Sequence, residues 1–130
     1  MTAIHEKRLT VLADFLAGFE AGHGKNFNID RWFDKNKCRT VACAMGWACT
    51  IPSLKAEGLF LNSLEMPQFN RSGGFQAAEE FFGLTVGEAL LLFSSQGYGD
   101  ECNENWVGPT ASEVAHKIYN HLAKNAPQPN

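Results

Sequence analysis

From Ser72 to His116 the chain has no lysine and no arginine, and nine of its eleven basic residues lie at or before Arg71. The same stretch carries Glu79, Glu80, Glu88, Asp100, Glu101, Glu104 and Glu113. A nucleic-acid partner needs several Lys or Arg on one face to displace counterions, so this distribution argues against one. Long apolar runs are missing as well, which excludes a membrane-spanning helix. The first residues, Met1 to Arg8, contain no apolar signal region. These absences predict a cytoplasmic protein with no membrane partner. No Cys-x-x-Cys pair occurs among Cys38, Cys43, Cys49 and Cys102. In the cytoplasm, four such residues read as free thiols rather than as a disulfide framework. Repeats and low-complexity tracts are also lacking.

What remains is an ordinary globular composition, 45% hydrophobic and 19% charged, with a net charge of −3. Ten Phe, three Trp and two Tyr are generous for 130 residues and predict a dense core. The length fits one domain over residues 1–125, followed by a disordered Pro-containing tail at 126–130.

Apolar residues at helical spacing (Val11, Leu12, Phe15, Leu16, Phe19) predict a first helix from Thr2 to Glu20, stopped by Gly22 and Gly24. Residues 26–36 read as a loop whose Phe27, Ile29, Trp32 and Phe33 fold back on the core. A second helix is predicted from Thr40, as N-cap, to Thr50, with Pro52 ending the segment. Gly46 inside it costs about 1 kcal/mol relative to Ala, which implies a close approach by another helix or a ligand. Segments 58–62 and 66–69 read as one short two-stranded β-ribbon. Gly73-Gly74 opens a third helix, Phe75–Phe82, closed by Gly83. Thr85-x-x-Glu88 and Thr110-x-x-Glu113 are capping boxes that start a fourth and a fifth helix, separated by a long loop from Gln96 to Pro109. The last helix carries the stripe Ala111, Val114, Ala115, Ile118 and Leu122. The fold class expected from these signals is mainly α: a single compact domain of about five helices with one two-stranded ribbon.

The most conspicuous chemistry lies at Cys38-Arg39-Thr40-Val41-Ala42-Cys43, leading into Ala44-Met45-Gly46-Trp47. With Thr40 as the cap, Cys43 falls in the first helical turn, where the helix dipole favours a thiolate. A cysteine hydrolase also needs a base oriented by a third group, and none of His5, His23, His116 or His121 is placed beside Cys43 by the sequence. As metal ligands, Cys38 and Cys43 are too widely spaced for a zinc knuckle, and only Cys102 with a histidine could complete the set in space. As a redox pair they have four residues between them where two are usual. The default is that Cys43 and Cys49 pack as small hydrophobes among alanines.

Other constellations are weaker. Gln76 to Leu90 has the cadence of a helix-turn-helix, but its second helix offers no basic residue to read a base edge and fits an αα-hairpin better. The acidic loop Asp100 to Asn105 lacks the glycine and the final glutamate of a calcium loop. His116 and His121 lie five apart and do not share a helix face. The basic run Lys25, Arg31, Lys35, Lys37 and Arg39 reads as a solvated loop or a small anion-attracting patch. Asn70-Arg71-Ser72 matches a glycosylation sequon that carries no meaning without secretion.

Three stretches together resemble a family: Phe27 to Trp32, the Cys-x-Thr-x-x-Cys-Ala-x-Gly-x-Ala element at Cys38–Ala48, and Phe-Phe-Gly-Leu-Thr-x-x-Glu-Ala at Phe81–Ala89. The chain is similar to small bacterial and phage proteins of no established function that carry Cys-Gly-Thr-x-x-Cys-x-x-Gly, over roughly Phe27 to Ile118. It departs from them at Arg39, where Gly is commoner. The resemblance implies the fold and the importance of the Cys38 segment, and carries no activity.

The function expected is a non-enzymatic binding or interaction module, with an unknown protein or small molecule as partner and no cofactor, metal or catalytic set. The candidate patch is Trp32, Cys38, Arg39, Thr40, Cys43, Trp47, Tyr98 and Trp106. The alternative is a cysteine-dependent enzyme using Cys43 or Cys38.

Overall fold

The computed structural model describes residues 2–20, 25–35, 39–98 and 108–125. Cys38, Cys102, Trp106, His23, Gly22 and Gly24 (expected to stop the first helix), the acidic loop and the 126–130 tail lie outside these residues.

Helix α1 spans Ala3–Ala17, with Thr2 as N-cap accepting from the His5 amide. It buries Leu9, Leu12, Ala13 and Leu16. The last helix, α6 (Ala111–Asn125), packs along α1 and buries Ala111, Val114, Ala115 and Ile118, four of the five residues of its predicted stripe. The Tyr119 hydroxyl donates to the Asp14 carboxylate across this pair. Between them, α4 (Phe75–Phe82) and α5 (Val86–Phe93) form the αα-hairpin, with Phe81, Phe82 and Phe93 in the core. Gly83 closes α4 at φ +66°, and a Cβ there would stand 2.4 Å from the His5 ring, so both conformation and space demand glycine. Both capping boxes form. Thr85 and Glu88 exchange reciprocal bonds at 2.9 and 3.1 Å, and Thr110 and Glu113 at 3.2 and 3.1 Å.

The mainly-α expectation is overturned by two three-stranded sheets beside six α-helices among the described residues. In the first sheet β3 (Thr40–Ala42) is central, parallel to β1 (Lys25–Phe27) and antiparallel to β2 (Asp34–Lys35). Residues 26–36 are therefore not simply a loop. The second sheet is a meander of β4 (Phe60–Leu61), β5 (Pro67–Phe69) and β6 (Ser72–Gly73), so the expected ribbon gains a third strand. Asn62 holds its first turn, accepting from the amides of Leu64 and Met66 at 2.9 and 3.1 Å.

The helix predicted from Thr40 to Thr50 is the most consequential correction. Thr40 and Val41 pair on both sides, Ala42 pairs with Phe27, and all three are strand. The helix begins only after Cys43, as α2 (Ala44–Ala48), and Pro52 opens a separate short helix, α3 (Pro52–Ala56). β-Branched Thr40 and Val41 suit an extended backbone, and two flanking strands supply hydrogen bonds that override weak helix propensity. Every residue of α2 is buried, so its role as a close-packed central element stands although its length does not. No helix among the described residues is long and apolar enough to cross a membrane.

Candidate functional site

The approach that requires Gly46 comes from neither another helix nor a ligand. A Cβ at that position would stand 1.6 Å from the Trp32 carbonyl oxygen and 2.8 Å from the Ala42 Cβ. The Trp32 segment is thus laid directly on α2. The Cys43 amide donates to the Arg31 carbonyl at 2.7 Å, and the Cys43 thiol lies 4.0 Å from the Trp32 carbonyl. These contacts lock the backbone beneath Trp32. Its ring is half-buried and meets Phe75 edge-on with centroids 4.8 Å apart. Gly74, at φ +61°, brings α4 close enough that a Cβ would touch the Trp32 ring at 3.5 Å.

Trp32 and Phe75 wall a cleft of about 210 Å³, completed by Ile29, Asp30, Ser94 and Ser95. Asp30 is set by a local turn in which its amide donates to the Asn28 side chain at 2.9 Å. The serines follow α5, where the Ser94 hydroxyl donates to the Leu90 carbonyl at 2.6 Å and accepts from the Gln96 amide. A Cβ at Gly97 would stand 1.9 Å from the Leu91 carbonyl oxygen, so the turn after the serines is also tightly seated.

The other candidate residues do not gather here. Trp47 is 5% exposed and faces α1 and β1. Its indole N–H donates to the Asn26 carbonyl at 3.1 Å, and its ring packs on Phe15 and Phe19. Thr40 is flanked in register by Lys25 and Lys35, with exposed Arg39 beside it, at the end of β3 away from Cys43. Tyr98 donates to the Leu92 carbonyl at 2.7 Å under the Lys117 ammonium, which lies 4.3 Å from its ring centroid and bonds to the Gly97 carbonyl. Burial raises the Tyr98 hydroxyl pKa well above its ordinary value. This residue lines a separate open cleft with Glu113, His116 and Lys117 on α6.

The thiols are sealed. Cys43 is the N-cap of α2, not a first-turn residue, and burial pushes its pKa up to about 11. Cys49 ends the same helix, and burial pushes it up to about 12. The helix-dipole activation expected from Thr40 capping is therefore overturned: desolvation outweighs every stabilising backbone contact. Both cysteines are free, so Cys43 is in no disulfide. The described histidines sit elsewhere. His5 is against Gly83, His116 lines the Tyr98 cleft, and His121 lies 3.8 Å from Glu88. No group of three or more His, Cys, Asp or Glu among the described residues could hold a metal ion.

Of the cleft, sequence reasoning singled out Trp32 alone and missed Asp30, Phe75, Ser94 and Ser95 as site residues. The available signal was Gly74, which caps α4 without a side chain to do the capping and so marks a close backbone approach. The chain matches no known protein-family model, no curated protein and no solved structure.

Proposed function

We propose that this protein is a non-enzymatic binding or interaction module of a bacterial or phage cytoplasm, and that the Trp32 cleft is its ligand-facing surface. One observation carries this: a concave, aromatic-walled site stands on a backbone held rigid by Cys43 and Gly46, with the Cys43 thiol buried beneath it. A pre-formed site loses little entropy on binding. The partner is a small molecule or a side chain of another protein. Nucleic acid and membrane are not partners in this reading, and no cofactor takes part. The likeness to the small Cys-Gly-Thr-x-x-Cys-x-x-Gly proteins belongs to the same proposal.

A fragment screen by protein-observed NMR tests it. Hits are expected to shift the Trp32 indole and Phe75 ring resonances and to lose binding in Trp32→Ala. Hits that map elsewhere and ignore Trp32 count against the cleft. A single cysteine alkylated rapidly well below pH 8 would instead favour the cysteine-dependent enzyme.

A further inference from the structure

We infer that the cleft recognises an organic cation, an ammonium or guanidinium group at the end of a short alkyl chain. The inference rests on the cleft being the binding surface. Its walls are two aromatic rings and its one charged lining residue among those described is Asp30. A cation over the face of Trp is attracted by the ring quadrupole, and a nearby carboxylate adds a Coulombic partner.

No cation already fills that role among the described residues, which form no ion pair and no hydrogen bond to the Asp30 carboxylate. Its neighbour Arg31 is engaged with Asp34 at 3.3 Å instead. The wall bearing Phe75, Ser94 and Ser95 comes from the stretch between Ser72 and His116 that contains no Lys or Arg. Lys25, Lys35 and Arg39 gather at the Thr40 end of β3, whereas Asp30 and Arg31 adjoin Cys43 beyond its other end. Three residues of strand separate the two ends by about 10 Å, roughly a Debye length at physiological salt. The basic group therefore does not neutralise the cleft.

Size narrows the ligand further. About 210 Å³ is smaller than the pockets of roughly 300–1,000 Å³ that enclose drug-sized ligands. It suits one head group with a short chain, and Ser95 can accept a hydrogen bond from an ammonium or guanidinium N–H at the rim. A free alkylamine and a Lys or Arg side chain of a partner protein share this chemistry.

The test is titration of the intact protein, followed by the Trp32 indole resonance. The probes are tetramethylammonium, n-butylammonium and n-butylguanidinium, with tert-butanol and n-butanol as neutral counterparts of similar shape. At least one cation is expected to bind five-fold or more tighter than its neutral counterpart. Asp30→Asn should remove most of that preference, and Trp32→Ala, followed at the Phe75 ring resonance because it lacks the reporter indole, should abolish the binding. Near-UV circular dichroism of Asp30→Asn verifies that the variant keeps its fold, and added salt should weaken cation binding to the wild-type protein in any case. A lysine-containing pentapeptide and its acetyl-lysine form separate the two sources: preference for the charged peptide over n-butylammonium indicates a partner's side chain, and the reverse a free amine. Equal binding of cations and neutral counterparts at the Trp32 resonance overturns the charge inference but leaves the cleft as a binding surface. No cation response at Trp32 overturns the inference too, and the fragment screen then decides whether the cleft binds anything.

Discussion

Trp32 and Trp47 both touch the five-residue helix α2, and they end in opposite surroundings. Trp47 belongs to α2 and is enclosed by Phe15 and Phe19, with its indole N–H donating to the Asn26 carbonyl of β1. Trp32 lies across α2 on a loop, its backbone pressed against Gly46 and its ring left at the edge of a cleft with Phe75. Residue type does not distinguish them. The difference comes from what lies beyond the ring: a fifteen-residue helix covers Trp47, whereas a cleft adjoins Trp32. One tryptophan has its polar atom satisfied and its faces packed, as a core aromatic requires, and the other is only half-buried and lines the cleft.

Truncation should separate the two most sharply. Trp47→Ala is expected to cost about 4 kcal/mol of stability, within the range for a buried large aromatic, and Trp32→Ala about 1 kcal/mol. Urea unfolding of both variants measures the contrast, and equal losses would break it. Gly46→Ala probes the contact joining the two sides. The added methyl has no room against the Trp32 carbonyl, so a loss of about 3 kcal/mol is expected, together with a displaced Trp32 resonance. Gly46→Ala with an unmoved Trp32 resonance would mean that α2 does not hold the cleft in place.

A test away from both rings uses Arg8. Its guanidinium stacks 4.1 Å from the Phe81 ring centroid and donates to the Phe81 carbonyl at 2.9 Å, with Glu57 at 3.8 Å. Arg8→Ala should cost about 2 kcal/mol, and Arg8→Lys should recover only part of it because a point charge cannot reproduce the stacked fork. A full rescue by Lys would reduce Arg8 to a simple charge.

The buried thiols give a pH signature. Folding holds Cys43 and Cys49 protonated, at about 11 and about 12, above the value of 9.0 for a free thiol. The unfolded chain therefore releases these protons first. Their contribution is fully present below pH 9 and is lost as pH rises through 11, by at most about 1.4 kcal/mol per pH unit for each thiol. Denaturation midpoints between pH 8 and 11 should fall less steeply in Cys43→Ala/Cys49→Ala than in the wild type. Parallel slopes would mean that the thiols are not shielded. The smallest effect is expected at Gly87, where a Cβ meets nothing within 4 Å inside α5. Gly87→Ala should stabilise by about 0.5 kcal/mol, in contrast to the same substitution at Gly46.

Much of the helical frame was legible. The α4 boundaries follow from Gly73-Gly74 and Gly83, and both Thr-x-x-Glu boxes start helices where their local bonding dictates. The ribbon of β4 and β5 was legible at 58–62 and 66–69, but β1, β2, β3 and β6 were not, because segments of two or three residues are too short to display alternation. The partners of β3 also lie on separate segments, so nothing local marks their pairing. The cleft was half-visible. Trp32 stands out as an aromatic in a loop with Asp30 two residues away, but Phe75 and Ser94 meet it only through folding, since they come from two other segments.

By itself the sequence determined α4, α5 and α6, the start of α1 and the uneven charge, since each depends on residues within a few positions of one another, whereas α1 ends at Ala17 with Gly18 as its C-cap rather than running to Glu20. Only the tertiary structure decided that Thr40 to Ala42 is strand, that Cys43 is a buried cap rather than an activated thiol, and that Trp47 is enclosed while Trp32 is not. The physical reason is the same in each case: backbone pairing and desolvation are set by neighbours distant along the chain, and here they outweigh local propensity and the dipole of a short helix.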